Sequence, residues 1–226
     1  MEKTNNPGGL PSLSLPKRLL VIFLRTFFSL LYHQFAWAYD GVASIVSLGA
    51  WQTWVQSVLP YLDGPRTLDI GYGPGHLLVG LCKKGITAYG LDESYQMGQI
   101  TKRRFKSIGL HPNLIRGDAQ TLPFADESIN QVVMTFPAEY ILKSLTIEEI
   151  YRILIKGGIV LVLPLAWITG RKPWERLAAW VNRITGQAPE WDEKALDPLK
   201  NTGFEVSWEM KNFTSSKILL IRLRKP

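Results

Sequence analysis

The chain has 226 residues, which is enough for one domain with a single core and a small appendage. Apolar residues make up 46% and charged residues 20%, a composition that excludes a disordered chain. The single cysteine, Cys82, excludes an intramolecular disulfide and suits a reducing cytoplasm, and no residue cluster predicts a metal site. The formal net charge of +7 favours anionic surroundings such as lipid headgroups, a nucleic acid or an acidic substrate, without choosing among them.

The N-terminal part of the chain contains an unusually apolar segment. Residues 1–16 are rich in proline and glycine and are predicted to be a mobile tail. Residues 17–38 include a thirteen-residue apolar run that is interrupted by Arg25, whereas a membrane span needs about 20 apolar residues. Residues 36–38 resemble the cleavage site of a secretory signal, but Arg25 argues against that interpretation. A helix lying on a membrane surface and a helix packed on the domain or on a partner subunit remain equal alternatives.

Strands and helices alternate along the chain from Tyr39 onward. Short apolar strands are predicted at residues 67–70, 86–92, 113–117, 128–136 and 158–165. Helices are predicted at residues 41–62, 76–84, 94–108 and 146–155. Strands that alternate with helices of this length predict a parallel sheet covered on both faces.

The C-terminal segment changes to an alternating pattern. Apolar and polar residues alternate over residues 204–211, and a second strand is predicted at 217–224 after a turn. This pattern is typical of an antiparallel hairpin. The predicted fold class is therefore α/β: a Rossmann-like doubly wound sheet, mostly parallel, with an antiparallel C-terminal strand and an N-terminal helical extension.

A helical insertion is predicted after the fifth strand, at residues 166–190. Its apolar residues share one face of a helix, namely Trp174, Leu177, Ala178, Val181 and Ile184. The insertion follows the carboxyl end of a strand, which is the edge where α/β sheets bind ligands. We therefore expect a lid over an acceptor pocket, where apolar side chains exclude water.

A glycine-rich turn joins the first strand to the following helix. Gly71, Gly73 and Gly75 allow a sharp turn and close approach of a ligand to the backbone, beside the free N–H groups of a helix N-terminus. Asp92 ends the next strand, 21 residues after Gly71, where a carboxylate can accept both hydroxyls of a ribose. The dinucleotide fingerprint requires a glycine where this chain has His76, which disfavours a nicotinamide cofactor.

Further segments in the same order carry a resemblance to a known family. Asp69 ends the first strand, residues 117–119 read Gly-Asp-Ala, and residues 152–158 read Arg-Ile-Leu-Ile-Lys-Gly-Gly. Together with the glycine turn and Asp92, these positions resemble the class I S-adenosylmethionine (SAM)-dependent methyltransferases. A Tyr-Asp segment at residues 35–54 is similar, more loosely, to the ubiquinone- and menaquinone-type branch of methyltransferase type 11-like proteins. Lys156 stands where this family usually has proline.

The resemblance covers residues 35–224 and implies a methyltransferase domain at residues 39–226. It implies SAM as the cofactor and S-adenosylhomocysteine as its product. Tyr72 stands where the family usually has a small residue, but such a turn binds mainly through its backbone. The implied cofactor-binding residues are Tyr39, Asp69, Gly71, Tyr72, Gly73, Gly75, Asp92, Asp118, Ala119 and Thr135.

The resemblance also implies the reaction, an in-line attack of an acceptor atom on the methyl group of SAM, in which alignment contributes most. Glu139 and Tyr140 follow the fourth strand, where acceptors meet the methyl group, and are the preferred catalytic candidates. The same segment lacks the motif of the adenine-methylating enzymes, so no nucleic-acid partner is predicted. Other candidate bases are His33, His76, His111 and Tyr39.

The predicted partner is a small-molecule acceptor, with a lipophilic quinone precursor or a lipid favoured because of the apolar segment, the Trp-rich insertion and the net charge. We expect a cytoplasmic protein that lies on the cytoplasmic face of the membrane if residues 17–38 bind lipid. The oligomeric state stays open. Two alternatives from other classes remain: a catalytically idle SAM-binding module and, less favoured, a nicotinamide-dependent oxidoreductase.

Overall fold

The computed structural model describes residues 35–137, 143–184, 189 and 191–226. The α-helices are α1 (Tyr39–Val46), α2 (Trp51–Gln56), α3 (His76–Lys83), α4 (Tyr95–Ser107), α5 (Ser144–Ile153), α6 (Pro173–Ile184) and α7 (Asp197–Lys200). Short 3-10 helices lie at Ala36–Ala38, Leu59–Tyr61 and Glu193–Leu196. The strands are β1 (Arg66–Ile70), β2 (Thr87–Asp92), β3 (Asn113–Arg116), β4 (Ile129–Thr135), β5 (Leu154–Ile168), β6 (Glu205–Asn212) and β7 (Ser216–Arg224).

The strands form one sheet in the order β3-β2-β1-β4-β5-β7-β6. The first five of these are parallel, because β1 pairs in parallel with β2 and β4, β2 with β3, and β4 with β5. Strand β7 runs antiparallel to both β5 and β6. The predicted α/β sheet, mostly parallel with an antiparallel C-terminal strand, is therefore confirmed, whereas most of the predicted N-terminal helical extension lies outside the described residues. The strand order reverses between β1 and β4, and ligands of open α/β sheets bind at the carboxyl ends of the strands at such a point.

Helices bury both faces of the sheet, so the central strands are apolar on both sides. One core cluster joins alternate residues of the strands, such as Leu68 and Val132, to Ile150 of α5. The other cluster joins the opposite face, including Val133 and Leu161, to α2, α3 and α4. This two-sided burial explains why residues 159–163 of β5 read as a continuous apolar run rather than an alternating one.

The structure differs from the sequence-based expectation where one helix was predicted at residues 41–62. The segment is divided into α1, α2 and a 3-10 turn, because Leu48 and Gly49 both have positive φ, 53° and 83°. A left-handed pair of residues cannot continue a right-handed helix, so the chain turns sharply between α1 and α2.

Helix α6 occupies the predicted insertion, but its large apolar side chains face outward. Trp174, Leu177 and Trp180 are exposed, whereas Glu175 is buried. The interpretation of residues 166–190 as a lid stays a prediction.

The predicted tail and most of the apolar segment at residues 17–38 lie outside the described residues. Where the structure describes the chain, no helix has the length and hydrophobicity of a membrane span.

Candidate functional site

The glycine turn between β1 and α3 lies at the reversal of strand order. Gly71, Gly73 and Gly75 have φ values of 73°, 52° and 78°, a region that side chains rarely adopt. A Cβ on Gly75 would lie 2.5 Å from Cγ2 of Thr101, whereas a Cβ on Gly73 would meet nothing within 4 Å. The turn therefore needs Gly75 for close packing of α4, and it leaves the backbone at Gly73 open.

Asp92 joins this turn to the end of β2. Its carboxylate accepts hydrogen bonds from the N–H of Gly73, at 3.0 Å, and from the N–H of Ser94, at 2.8 Å. The side chain is buried, with 2% of the residue exposed. Because each carboxylate oxygen carries two lone pairs, Asp92 can still accept hydroxyl donors while holding the turn in place.

Asp69, at the end of β1, is a buried carboxylate that lacks a hydrogen-bond partner among the described residues. Burial, and to a lesser extent the charge of Asp92, raises the pKa of Asp69 to about 8. A buried carboxylate without a partner is costly unless a cation or donor comes to it. The carboxylate of Asp69 can therefore bind a positively charged group.

Tyr39, the first residue of α1, lies close to the carboxylates of Asp40 and Asp92. Burial, together with the charges of Asp40 and Asp92, raises the pKa of Tyr39 above its ordinary value, so its hydroxyl keeps the proton. Its ring also meets Trp51 edge to face, with centroids 6.1 Å apart. Tyr39 thus places a hydroxyl donor near Asp92 at the N-terminus of α1.

A polar cluster of Asp40, His76 and Arg104 ties α1 to α3 and α4. Asp40 accepts from Arg104 Nη2 at 2.6 Å and contacts His76 Nε2 at 3.0 Å, and Arg104 also contacts the His76 ring. Burial alone would raise the pKa of Asp40, but His76 and Arg104 outweigh it and lower that pKa. The cluster fixes the start of α1 over the glycine turn.

Aromatic rings cover the carboxyl end of β4. The Trp51 and Phe136 rings stack with centroids 4.3 Å apart, and Trp54 lies 6.2 Å from Phe136. Phe136 has a φ of 50°, a conformation that costs energy for a residue with a large side chain. Strained residues of this kind cluster at functional sites, and here the strain turns the Phe136 ring toward α2.

The remaining predicted site residues take different places. Thr135 ends β4 beside the aromatic cluster, and Ala119 is buried in the core. Asp118 is exposed, and its carboxylate accepts from the backbone and side chain of Gln120. The Tyr72 side chain packs away from the turn, close to Gly90 and Gly98. Glu139 and Tyr140, the preferred catalytic candidates, lie outside the described residues.

Sequence reasoning missed Asp40, Arg104, Trp51 and Phe136 as members of this site. Asp40 and Arg104 are 64 residues apart, and Arg104 stands in a basic run that favours solvated surface. The tryptophans fit a core equally well. Only the Tyr39-Asp40 pair gave a usable signal, because both residues belong to the segment that resembles the family.

The residues of this site fit SAM. The unpartnered carboxylate of Asp69 suits the ammonium group of its methionine part, and Asp92 retains lone pairs for ribose hydroxyls. The open backbone at Gly73 leaves room for close approach of a ligand.

Residues 68–162 match the sequence model of a family described as a methyltransferase domain. The ubiquinone/menaquinone biosynthesis C-methyltransferase of Blochmanniella floridana is 31% identical over 144 residues, which cover 58% of this chain and 56% of the relative. The demethylmenaquinone methyltransferase of Geobacillus stearothermophilus is 30% identical over 134 residues, with 55% of this chain and 57% of the relative covered. The aligned part thus spans little more than half the length of either relative.

A solved structure of geranyl diphosphate methyltransferase, in complex with GPP and sinefungin, is similar in fold. Its TM-score is 0.58 at 13% identity, and the match covers 79% of this chain and 84% of that one. At this identity the likeness concerns the fold alone. The matched domain, the glycine turn and the two carboxylates agree with the family that the sequence motifs predict. Residues 68–162 are therefore similar to a methyltransferase domain, and the site that they contain fits SAM as its cofactor.

Proposed function

We propose that this protein transfers the methyl group of SAM to a small lipophilic acceptor of the quinone-precursor class. The observation that carries the proposal is that the stacked Trp51 and Phe136 rings lie at the carboxyl end of β4, next to the glycine turn in the sheet. Flat apolar surfaces of this kind suit a ring-shaped acceptor. The two relatives, of which one is named for ubiquinone/menaquinone biosynthesis and the other for demethylmenaquinone, support the same class.

The reaction we propose is a single in-line displacement. Bound SAM supplies a methyl group on a positively charged sulfur; the acceptor atom forms a bond to this carbon, the carbon–sulfur bond breaks and its electron pair stays on sulfur. The chain contributes alignment: the glycine turn and Asp92 bind the donor, and Asp69 holds its charged end. Alignment of two reactants in this way is worth about 7–11 kcal/mol at best.

The acceptor proton leaves after or during the attack. Tyr39 is a poor base because burial and the nearby carboxylates raise its pKa, so it serves as a hydrogen-bond donor instead. Glu139 and Tyr140 follow β4 in the sequence, and we propose that one of them accepts the proton. Trp51 and Phe136 present stacked apolar rings at the carboxyl end of β4, and we propose that these rings keep water from the reacting groups.

We further propose that the protein works at the cytoplasmic face of a membrane, with residues 17–38 in contact with lipid. The apolar run with flanking Lys17 and Arg18 supports this placement, since basic residues beside apolar ones favour anionic lipid surfaces. A lipophilic acceptor would be found at the same surface.

Transfer of labelled methyl from SAM into a total cell extract, followed by phase separation, tests the acceptor class. We expect the label in the organic phase. Label in the aqueous phase alone would contradict a lipophilic acceptor, and SAM binding without any transfer would indicate an idle SAM-binding module.

The variant Asp92→Ala tests the cofactor site directly. It should weaken binding of S-adenosylhomocysteine by about 1–3 kcal/mol, because a buried polar contact is lost. Isothermal calorimetry measures the effect, and Asp118→Ala, at an exposed carboxylate, is the control. An unchanged affinity in Asp92→Ala would contradict the ribose assignment.

A further inference from the structure

Helix α6 presents its large apolar side chains to solvent and packs on the core through small and polar residues. Trp174, Leu177 and Trp180 are 57%, 60% and 56% exposed, whereas the polar residues Glu175 and Asn182 are buried. Amphipathic helices on soluble domains show the opposite arrangement, with the apolar stripe facing the core. Packing of the domain therefore does not explain why these apolar side chains are exposed.

The buried face of α6 is fixed by its own hydrogen bonds. The Glu175 carboxylate accepts from the N–H of Lys172 at 2.9 Å and so caps the first turn of the helix. A Cβ added to Gly170 would collide with the same carboxylate, which shows how closely the preceding loop packs on it. The outward orientation of the tryptophans thus follows from a capped, closely packed helix start.

A second exposed apolar group lies beside the helix. Ile45 and Leu48, at the turn between α1 and α2, are also exposed. Leu48 and Trp174 line the same cavity of about 250 Å³, so the turn and the helix are neighbours. Together Ile45, Leu48, Trp174, Leu177 and Trp180 form what we call the docking surface.

Basic residues accompany this surface. Arg171, Lys172 and Arg176 are all exposed, and the Lys172 ammonium lies 5.3 Å from the centroid of the Trp174 ring. The one acidic residue of α6, Glu175, is buried on the opposite face. Tryptophan and leucine on one side, with lysine and arginine along the edge, are typical of a helix that lies in a lipid headgroup layer.

We propose that the docking surface binds an anionic lipid surface, with the tryptophans among the headgroups and the basic residues on the phosphates. The charge of these residues and the net charge of +7 complement such a surface. Trp54 lines the cavity at the docking surface and also lies next to Phe136, so this buried ring connects the docking surface to the aromatic cluster. Delivery of a lipophilic acceptor by this route rests on the proposed function, whereas docking itself does not.

Sedimentation of the full chain with lipid vesicles tests the proposal. We expect binding to phosphatidylcholine vesicles that contain phosphatidylglycerol, and weaker binding without it. Trp174→Ser with Leu177→Ser should reduce the partition coefficient by at least about tenfold, because each large apolar side chain contributes to burial in the lipid. Ile108→Ser with Leu110→Ser, 41% and 38% exposed at the opposite edge of the sheet, is the matched control and should bind like the original chain.

Several outcomes would overturn the proposal. Equal binding by the docking variant and the control would do so, and so would equal binding to both kinds of vesicle. A smaller molar mass of the docking variant in light scattering would assign this surface to a second copy of the chain. Calorimetry with S-adenosylhomocysteine shows that the variant is folded. If the original chain bound no S-adenosylhomocysteine, the proposed function would fail, but the vesicle result would still decide the docking.

A second variant avoids any change to the folding of α6. In a Cys82→Ser background, Leu177→Cys carries an environment-sensitive dye at an exposed position of the helix. Its emission should shift to shorter wavelength with the anionic vesicles. An unshifted emission would contradict the proposal even if the protein sedimented with the vesicles through another segment.

Discussion

At the scale of single residues, Asp69 makes the stability of the protein depend on pH. Its pKa is about 8 in the folded chain against an ordinary value of 3.8, so between these values the folded chain holds a proton that the unfolded chain has lost. The free energy of unfolding therefore falls as pH rises from about 4 to about 8. Asp69→Asn should remove this part of the pH dependence, on the order of a few kcal/mol, in urea unfolding at several pH values. An unchanged slope would contradict the buried, unpartnered carboxylate.

We expect the same residue to couple cofactor binding to proton release. An ammonium group beside Asp69 favours its charged form, so SAM binding near neutral pH should release a proton. Calorimetry in buffers with different enthalpies of ionisation measures the number of protons released on binding. This number should fall in Asp69→Asn but not in the exposed-site variant Asp118→Asn. Equal proton release in all three proteins would place the ammonium group elsewhere.

Gly73 and Gly75 should respond differently to alanine although both have positive φ. Gly75→Ala brings a Cβ against Thr101 and should cost about 2–4 kcal/mol of stability through strain and overpacking. Gly73→Ala meets open space, so it should cost only about 1–2 kcal/mol but weaken S-adenosylhomocysteine binding strongly. Thermal unfolding and calorimetry on both variants separate the two effects. The assigned roles would be contradicted if both variants lost the same amount of stability and the same amount of affinity for S-adenosylhomocysteine.

At the scale of elements, the position of α1 depends on the cluster of Asp40, His76 and Arg104. Arg104→Ala removes the ion pair to Asp40 and should weaken cofactor binding by about 1 kcal/mol, because Tyr39 is then less firmly held. Hydrogen exchange of the α1 amides should become faster, while Arg103→Ala, at an exposed neighbour, should change neither quantity. Unaltered exchange in Arg104→Ala would mean that packing alone holds α1.

The elements also show what sequence could predict. Strands β1 and β2 were predictable because a glycine lies shortly before each apolar run and marks where the strand begins. The glycine turn likewise located the candidate cofactor site. The outward face of α6 was not predictable, since periodicity shows that Trp174 and Leu177 share a face but not what that face meets. The contact of Asp40 with Arg104 was equally hidden, because nothing local in either segment depends on it.

At the scale of the whole molecule, a buried lysine that directly follows β7 connects this strand to the end of α5 and the start of β5. The ammonium of Lys225 donates to the carbonyls of Leu154 and Tyr151, at 2.7 and 3.0 Å. Lys225→Met keeps the aliphatic stem but leaves these carbonyls unpaired, so it should lower the free energy of unfolding by about 1–3 kcal/mol. Urea unfolding measures the change, and Arg222→Met, at an exposed neighbour in β7, should have little effect. A Lys225→Met protein as stable as the original would contradict this role.

The place of β7 between β5 and β6 has a consequence for synthesis on the ribosome. Strand β6 leaves the ribosome before β7, yet it touches the sheet only through β7. The backbone groups on the open side of β5 therefore stay unpaired until both strands have emerged. The hairpin of β6 and β7 must then join the sheet as one unit. The described residues of the cofactor site, up to Phe136, are translated well before that step. The nascent chain can thus assemble its glycine turn and carboxylates while the edge of β5 still offers unpaired backbone groups, so this edge is where chaperone protection matters most.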